Sequence, residues 1–252
     1  MSSREEDKRR AREAQLAAER AQEHQRARRR RISVFGAILA AAAVIVLAAV
    51  LISRSGSEQP PASEAVAAFA GIPQDGPRLG RPDAPVVVEE FLDMQCPFCA
   101  QFATDRLPAL VRRRVRTGDV QLRQRVLAFL GQDSVTAGRA AVAAGLQDRQ
   151  WQFTEAFYSD QGTENSGYVT EQFLRDEAAK VPGLDADRML ADSDDPRVRR
   201  ELQSASTAAQ RAEVNSTPTF LVSRRGGKMT PAPAEEVEAR IDAALRGVRG
   251  AG

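Results

Sequence analysis

The stretch Cys96-Pro97-Phe98-Cys99 decides the fold of this chain, together with the apolar run Pro85–Phe91 before it and a helical pattern after it. The run is rich in β-branched residues and is bounded by a proline and a turn, which predicts a central strand. Pro97 fits the first position of a helix, because its missing N–H would have no intrahelical partner there. Cys96 is therefore predicted at a helix N-terminus, where unpaired N–H groups and the helix dipole favour a thiolate.

These two cysteines are the only ones in the 252 residues, and their spacing indicates a redox-active pair. Zinc binding is the commonest alternative, but zinc needs four ligands and the chain adds only one histidine, His24. A purely structural disulfide is a second alternative, which is disfavoured because a two-residue loop constrains the unfolded chain very little. The pattern predicts a thiol–disulfide centre without a metal ion.

The basic residues are concentrated at the N-terminus. Residues 1–31 carry eleven Lys and Arg against six Asp and Glu, whereas the rest of the chain carries 25 against 28. A nucleic-acid partner is therefore not expected for the chain as a whole. The basic head is predicted to lie in the cytoplasm, against or near a membrane.

Residues 32–52 form a run of 21 residues without a charge, which is long enough as a helix to cross a hydrocarbon core of about 30 Å. The arginines of 28–31 precede the run, which predicts that everything after residue 53 lies outside the cytoplasm. A cleaved signal peptide is the alternative. The run exceeds the usual apolar length of about 7–15 residues for a signal peptide, and no small-x-small site follows directly, which favours an uncleaved anchor.

The remainder is predicted to contain a proline-rich tether, 53–77, and one folded domain, 78–248. Within that domain the pattern alternates between strands and helices. The predicted elements are the strand Val86–Phe91, a helix from Pro97 kinked at Pro108, a strand at Val120–Val126, a helical block at about 133–212, a strand at Thr219–Val222 and a helix at Ala234–Leu245. The predicted fold class is α/β, a mixed sheet interrupted by one large helical insertion.

Four motifs are similar to those of the DsbA-like thiol–disulfide oxidoreductases, in particular the membrane-anchored members of the thioredoxin superfamily. They are Leu79-Gly80-x-Pro82-Asp83-Ala84-Pro85, a strand ending in Glu90-Phe91, Asp93-x-Gln95-Cys96-Pro97-Phe98-Cys99, and Thr217-Pro218-Thr219-Phe220. The resemblance covers about residues 78–248. It implies a thioredoxin fold with a helical domain inserted between Cys99 and Pro218, and an enzyme that uses no bound cofactor.

The resemblance also implies roles for individual residues. Cys96 would be the exposed nucleophile that forms a mixed disulfide with the substrate, and Cys99 the buried resolving partner. Pro218 would be the cis-proline beside the active disulfide, and Thr217 would offer backbone hydrogen bonds to the substrate chain. Glu90 would be a buried acid that exchanges a proton with the buried thiol. Because Glu89 and Glu90 alternate along a strand, at most one of them is expected to be buried.

Phe98 departs from the best-known oxidase pattern, in which a histidine stands at this position. A histidine can stabilise the thiolate of the first cysteine, whereas a phenylalanine cannot. We therefore expect a higher pKa for Cys96 and a less strongly oxidising disulfide than in the histidine form.

The function predicted from these features is extracytoplasmic thiol oxidation. The chain would pass its disulfide to folding secreted or membrane proteins, and a membrane reoxidase of the DsbB or VKOR type would restore it. A membrane-anchored reductase of the same fold is one alternative. A non-redox binding or scaffold protein is another, although the intact cysteine pair disfavours it.

Overall fold

The computed structural model describes residues 66–249. The predicted cytoplasmic head, the predicted anchor at 32–52 and the first part of the predicted tether lie outside the described residues. None of the helices within 66–249 combines the length and the apolar character that a membrane crossing requires.

Six strands within the described residues form one mixed sheet. They are β1 (Gln74–Asp75), β2 (Arg78–Leu79), β3 (Val86–Asp93), β4 (Val120–Leu127), β5 (Thr219–Arg224) and β6 (Thr230–Ala232). Their order is β1-β2-β4-β3-β5-β6, with β3 and β4 parallel and the other neighbours antiparallel. The three strands that the sequence pattern predicts are β3, β4 and β5, and β3 is central. The remaining three are short strands near the two edges of the sheet, which the pattern does not reveal.

The helical segment between β3 and β4 is interrupted close to Pro108, where the sequence predicts a kink. They are α1 (Pro97–Asp105), α2 (Leu107–Leu110) and a π-helical turn (Val111–Val115). The first helix ends at Asp105, three residues before Pro108. A proline inside a helix lacks one hydrogen-bond donor and collides with the preceding turn, so the chain starts a new helix with Pro108 in its first turn.

The remaining helices form the helical insertion and the C-terminal helix. They are α3 (Gln132–Gly145), α4 (Gln150–Ser159), α5 (Glu171–Ala179), α6 (Ala186–Asp192), α7 (Pro196–Arg211), a 3₁₀ turn (Ala234–Glu236) and α8 (Val237–Arg249). The insertion thus runs from residue 132 to residue 211. Its α4 carries the aromatic side chains Trp151, Phe153, Phe157 and Tyr158, which are all fully buried.

Part of the predicted tether packs into the domain. Val66, Phe69 and Ile72 are buried, and the rings of Phe69 and Trp151 lie 6.2 Å apart. Residues 74–75 also add the edge strand β1 to the sheet. The packed part of the chain therefore includes residues that composition alone assigns to a linker, because three apolar side chains among the prolines and glycines find a buried surface.

Candidate active site

The chain enters the candidate site from the carboxyl end of β3. Cys96 is the residue that precedes α1, with an extended backbone (φ −74°, ψ 117°), and Pro97 opens the helix. The Cys96 carbonyl accepts hydrogen bonds from the backbone N–H groups of Cys99 (3.1 Å) and Ala100 (3.2 Å). Proline at the first helical position and a strand directly upstream place Cys96 at the helix N-terminus, where the sequence predicts it.

The loop before β5 reaches the same place from the far end of the chain. The peptide bond between Thr217 and Pro218 is cis. The Cys96 thiol donates a hydrogen bond of 3.2 Å to the Thr217 carbonyl, across a separation of 121 residues. The antiparallel pairing of β5 with β3 brings the two segments together, because Thr219 lies in register with Phe91.

The two cysteines differ in exposure less than the sequence predicts. Cys96, which is expected to be exposed, is only 4% exposed, and Cys99 is fully buried. The expectation of an exposed Cys96 is therefore wrong for this conformation, in which the sulfur lies against the Thr217 carbonyl. The two cysteines are not joined by a disulfide in this conformation. Phe98, between them, is 68% exposed.

The two thiols differ strongly in acidity. A hydrogen bond from the Cys99 thiol, helped by the backbone N–H groups of Cys99 and Phe98, lowers the pKa of Cys96 to about 6 against the opposing effect of burial. Burial raises the pKa of Cys99 well above its ordinary value, and the hydrogen bond to Cys96 acts in the same direction. A thiolate at Cys96 beside a protonated Cys99 is therefore the favoured state of the reduced pair at neutral pH.

Glu90 lies on the buried side of this pair. It is 3% exposed, and burial raises its pKa to about 8. Its negative charge is among the influences that raise the pKa of Cys99. A carboxyl group that keeps its proton near neutral pH, next to a thiol with a raised pKa, can exchange that proton with the thiol.

Glu89 corrects the expectation that only one of the two glutamates is buried. Its side chain is also buried, on the opposite face of the sheet, where it accepts a hydrogen bond of 2.6 Å from Arg125. Helix α7 covers that face, and Glu201 of α7 bonds Arg123 at 3.0 Å. Because helices cover both faces of β3, strand alternation separates the two side chains but exposes neither of them.

The matching family model is Thioredoxin, and it covers residues 73–243 of this chain. The chain belongs to the thioredoxin family.

Relatives of this thioredoxin-family chain include disulfide bond formation proteins. The Probable disulfide bond formation protein D of Bacillus anthracis is 29% identical over 171 residues, which cover 67% of this chain and 77% of that protein. The Disulfide bond formation protein D of Bacillus subtilis is 27% identical over 187 residues, which cover 73% and 83%.

Solved structures agree with this relationship. BdbD from Bacillus subtilis, in its oxidised form, is 26% identical with a TM-score of 0.60 and covers 69% of this chain and 97% of that one. DsbA of Chlamydia trachomatis, 22% identical with a TM-score of 0.57, shares the fold and covers 68% and 92%. The chain is a DsbA-like protein disulfide oxidoreductase with a thioredoxin fold.

Asp93 is a residue of this thioredoxin-family site to which the sequence pattern assigns no role. Its fully buried carboxylate accepts hydrogen bonds from the backbone N–H groups of Gln95 (2.9 Å) and Phe129 (3.0 Å) and from the Ser134 hydroxyl (2.6 Å). It thereby ties the turn before Cys96 to the loop after β4 and to the start of α3. Its place in the motif that carries the family resemblance is the only signal in the sequence.

The helical insertion also holds the turn before Cys96. Three hydrogen bonds join them: Tyr158 hydroxyl to Asp93 carbonyl (3.0 Å), Gln161 amide to Met94 carbonyl (2.9 Å) and Gln95 amide to Tyr168 hydroxyl (2.8 Å). The insertion therefore builds part of the site rather than lying apart from it. These contacts link residues 65 to 73 positions apart, so a local reading of the sequence does not reveal them.

A groove of about 740 Å³ opens beside the cysteines, between α1, the Thr217-Pro218 loop and the segment after β6. Phe98, Phe102, Pro218 and Pro231 supply much of its apolar lining. Phe129, on the loop that Asp93 holds, is 57% exposed. Within residues 66–249, no three His, Cys, Asp or Glu side chains are grouped so that they could hold a metal ion.

The residue at position 98 gives a direct test of how the site sets its acidity. Phe98→His places a further hydrogen-bond donor beside the Cys96 sulfur, so we expect a lower pKa for Cys96 and a more oxidising disulfide. Alkylation of Cys96 by iodoacetamide should show a midpoint near pH 6 in the wild type. The midpoint should fall in the variant. The equilibrium constant for disulfide exchange with glutathione should shift toward the reduced enzyme by about tenfold for each unit by which the pKa of Cys96 falls. An unchanged glutathione equilibrium would contradict this prediction.

Proposed function

We propose that this chain is an extracytoplasmic oxidase that donates its Cys96–Cys99 disulfide to thiols of secreted or membrane proteins. The observation that carries the proposal is the position of Cys96 at the start of α1 beside the buried Cys99, where hydrogen bonds lower the pKa of Cys96 to about 6 and burial raises that of Cys99. A sulfur with a low pKa is a good leaving group in thiol–disulfide exchange, and its stable thiolate favours the reduced form of the enzyme. Both effects favour transfer of the disulfide to a substrate.

The reaction proceeds in two exchanges. A substrate thiolate attacks the Cys96 sulfur, the Cys96–Cys99 bond breaks, and Cys99 leaves as a thiolate that takes a proton from the Glu90 carboxyl. A second substrate thiolate then attacks the substrate sulfur of the mixed disulfide and releases Cys96 as a thiolate. The substrate loses two electrons in forming its disulfide, and the Cys96–Cys99 pair gains them.

The surroundings of Cys96 suit a polypeptide substrate. The backbone of Thr217, next to the sulfur, would hydrogen-bond to an extended substrate chain, and Pro218 lines the adjoining groove. Apolar side chains flanking the substrate cysteine would occupy the groove beside Phe98. Segments that expose apolar side chains are characteristic of incompletely folded proteins, which supports such proteins as the substrate class.

Turnover requires a partner that accepts the two electrons. We propose a membrane reoxidase of the DsbB or VKOR type for this role. Residues 32–52 would anchor the chain with its basic head in the cytoplasm, and the following residues would hold the domain near that partner. The disulfide bond formation proteins among the relatives support the oxidising direction.

The redox state of the pair in living cells tests the proposed direction. Cells are quenched with acid and free thiols are alkylated with a reagent large enough to change the mobility of the chain on a gel. We expect most of the wild-type chain to carry the Cys96–Cys99 disulfide, with Cys96→Ser as the marker for one free thiol. A chain found mostly as the dithiol would instead indicate a reductase.

A further inference from the structure

A second buried glutamate, Glu155 of α4, lies on the same side of the sheet as Glu90. It is 1% exposed, and its Oε1 atom has no hydrogen-bond partner within the described residues. Buried carboxylates are normally paired or hydrogen-bonded. The exchange reaction described above does not use Glu155, and its surroundings offer no structural reason for an acid there.

The hydrogen bonds of α4 place Glu155 close to Glu90. The residue before it, Thr154, donates to the Gln124 side chain at 3.3 Å, and Gln124 is the β4 residue in register with Glu90. One turn later, Tyr158 donates to the carbonyl of Asp93, three residues beyond Glu90 on β3. Glu155 therefore lies on the stretch of α4 that crosses the sheet over Glu90.

The groups around the two carboxyls include no described cation. Gln124 and Phe220 flank Glu90 in the sheet, and Arg123 and Arg125 are on the opposite face with Glu89. The titratable groups near Glu90 are Cys96 before α1, Cys99 of α1, Glu155 and Tyr158 of α4, and Asp93 of β3, and the charge of Glu90 raises the pKa of Cys99, Glu155 and Tyr158. Each of these is neutral or negative when it titrates, so a carboxylate at Glu90 has only unfavourable charges nearby.

We propose, on the basis of the function proposed above, that Glu155 is a positioning residue that opposes ionisation of Glu90 as the pH rises, so that Glu90 keeps the proton that it supplies to Cys99. Two like charges in one buried site oppose each other, so Glu90 and Glu155 do not both ionise easily. When Cys99 leaves as a thiolate it takes the Glu90 proton, which leaves Cys99 as a thiol, Glu90 as a carboxylate and Glu155 protonated. The two glutamates, Glu90 and Glu155, then carry one negative charge and one proton between them.

The acidities agree with this arrangement. Burial raises the pKa of Glu155 to about 8, and the negative charge of Glu90 acts in the same direction. Because the interaction between two charges is mutual, an ionised Glu155 also holds the proton on Glu90 to higher pH. Removing Glu155 should therefore let Glu90 ionise at lower pH, with no effect at acid pH, where both groups are protonated.

The test is the pH profile of single-turnover oxidation of a peptide dithiol by the oxidised full-length chain. Glu155→Gln should move the midpoint of the alkaline decline in rate downward by about one pH unit and leave the rate at pH 6 unchanged. In a Glu90→Gln background the decline that depends on the Glu90 proton should be absent, and adding Glu155→Gln should leave the pH profile unchanged, because Glu155 acts through Glu90. Glu177→Gln is the matched control: Glu177 is also buried, but it pairs with Lys180 at 2.6 Å on α5.

An unmoved midpoint in Glu155→Gln, an equal shift in Glu177→Gln, or the same shift without Glu90 would overturn the proposal. A second measurement needs no variant: the side-chain carboxyl resonances of ¹³C-glutamate-labelled protein should include two that each titrate in two coupled steps above pH 7. Two independent single-step titrations would also overturn it. Cys96→Ser tests the proposed function separately from the role of Glu155. Activity that survives this change contradicts the proposed function, whereas the titration of the Glu90 and Glu155 carboxyls should be the same with or without the change.

Discussion

Cys96→Ser is expected to abolish disulfide transfer to a reduced peptide, with the rate falling at least about 10³-fold to that of the uncatalysed reaction. A serine hydroxyl cannot form a disulfide bond. It also does not ionise near neutral pH, whereas hydrogen bonds lower the pKa of the Cys96 thiol to about 6. The measurement is stopped-flow oxidation of a fluorescent peptide dithiol by the purified, oxidised chain.

Cys99→Ser is the matched control, since it also leaves a single cysteine in the chain. Given a peptide whose cysteine is blocked as a mixed disulfide with glutathione, it should accumulate a covalent complex through Cys96, because the Cys96 thiolate attacks the peptide sulfur, glutathione leaves, and no resolving thiol remains to release the peptide. Mass spectrometry identifies that complex by its added mass and its loss on reduction. A complex formed instead through Cys99 in the Cys96→Ser variant would reverse the two roles and contradict the assignment.

Asp93→Ala is expected to lower the free energy of unfolding by at least about 3 kcal/mol, because it leaves buried donors of the turn, the β4 loop and Ser134 without an acceptor. For a domain of this size the melting temperature should fall by roughly 6–12 °C. Urea unfolding followed by circular dichroism gives the free energy directly. The variant should also alkylate at Cys96 with a changed midpoint, since the turn before the helix loses its anchor.

Asp83→Ala provides the comparison for this loss of stability. Asp83 is an exposed aspartate whose ion pair with Arg81 lies at the surface, so its removal should leave the free energy of unfolding nearly unchanged. Equal losses in the two variants would show that the buried hydrogen bonds of Asp93 contribute little. A loss confined to Asp93→Ala would confirm the role of Asp93 in holding the turn.

Much of the site follows from short-range features of the sequence. β-Branched residues predict the central strand, Pro97 predicts where the helix starts, and Pro108 predicts where it breaks. Strand alternation is also local, and it correctly separates Glu89 and Glu90 to opposite faces. It does not predict their burial, because burial depends on what packs against each face. Here α7 covers one face and α1 with α4 covers the other.

By itself, the sequence determined a strand, a turn and a helix with a cysteine pair at the junction, because these depend on residues only a few positions apart. Only the tertiary structure decided what surrounds that pair. The Thr217 carbonyl meets the Cys96 sulfur through the pairing of β5 with β3, and Asp93, Tyr158 and Glu155 gather beneath it because the helical insertion packs on the sheet. Such contacts join residues far apart in the chain, and no local pattern of propensity or spacing encodes them.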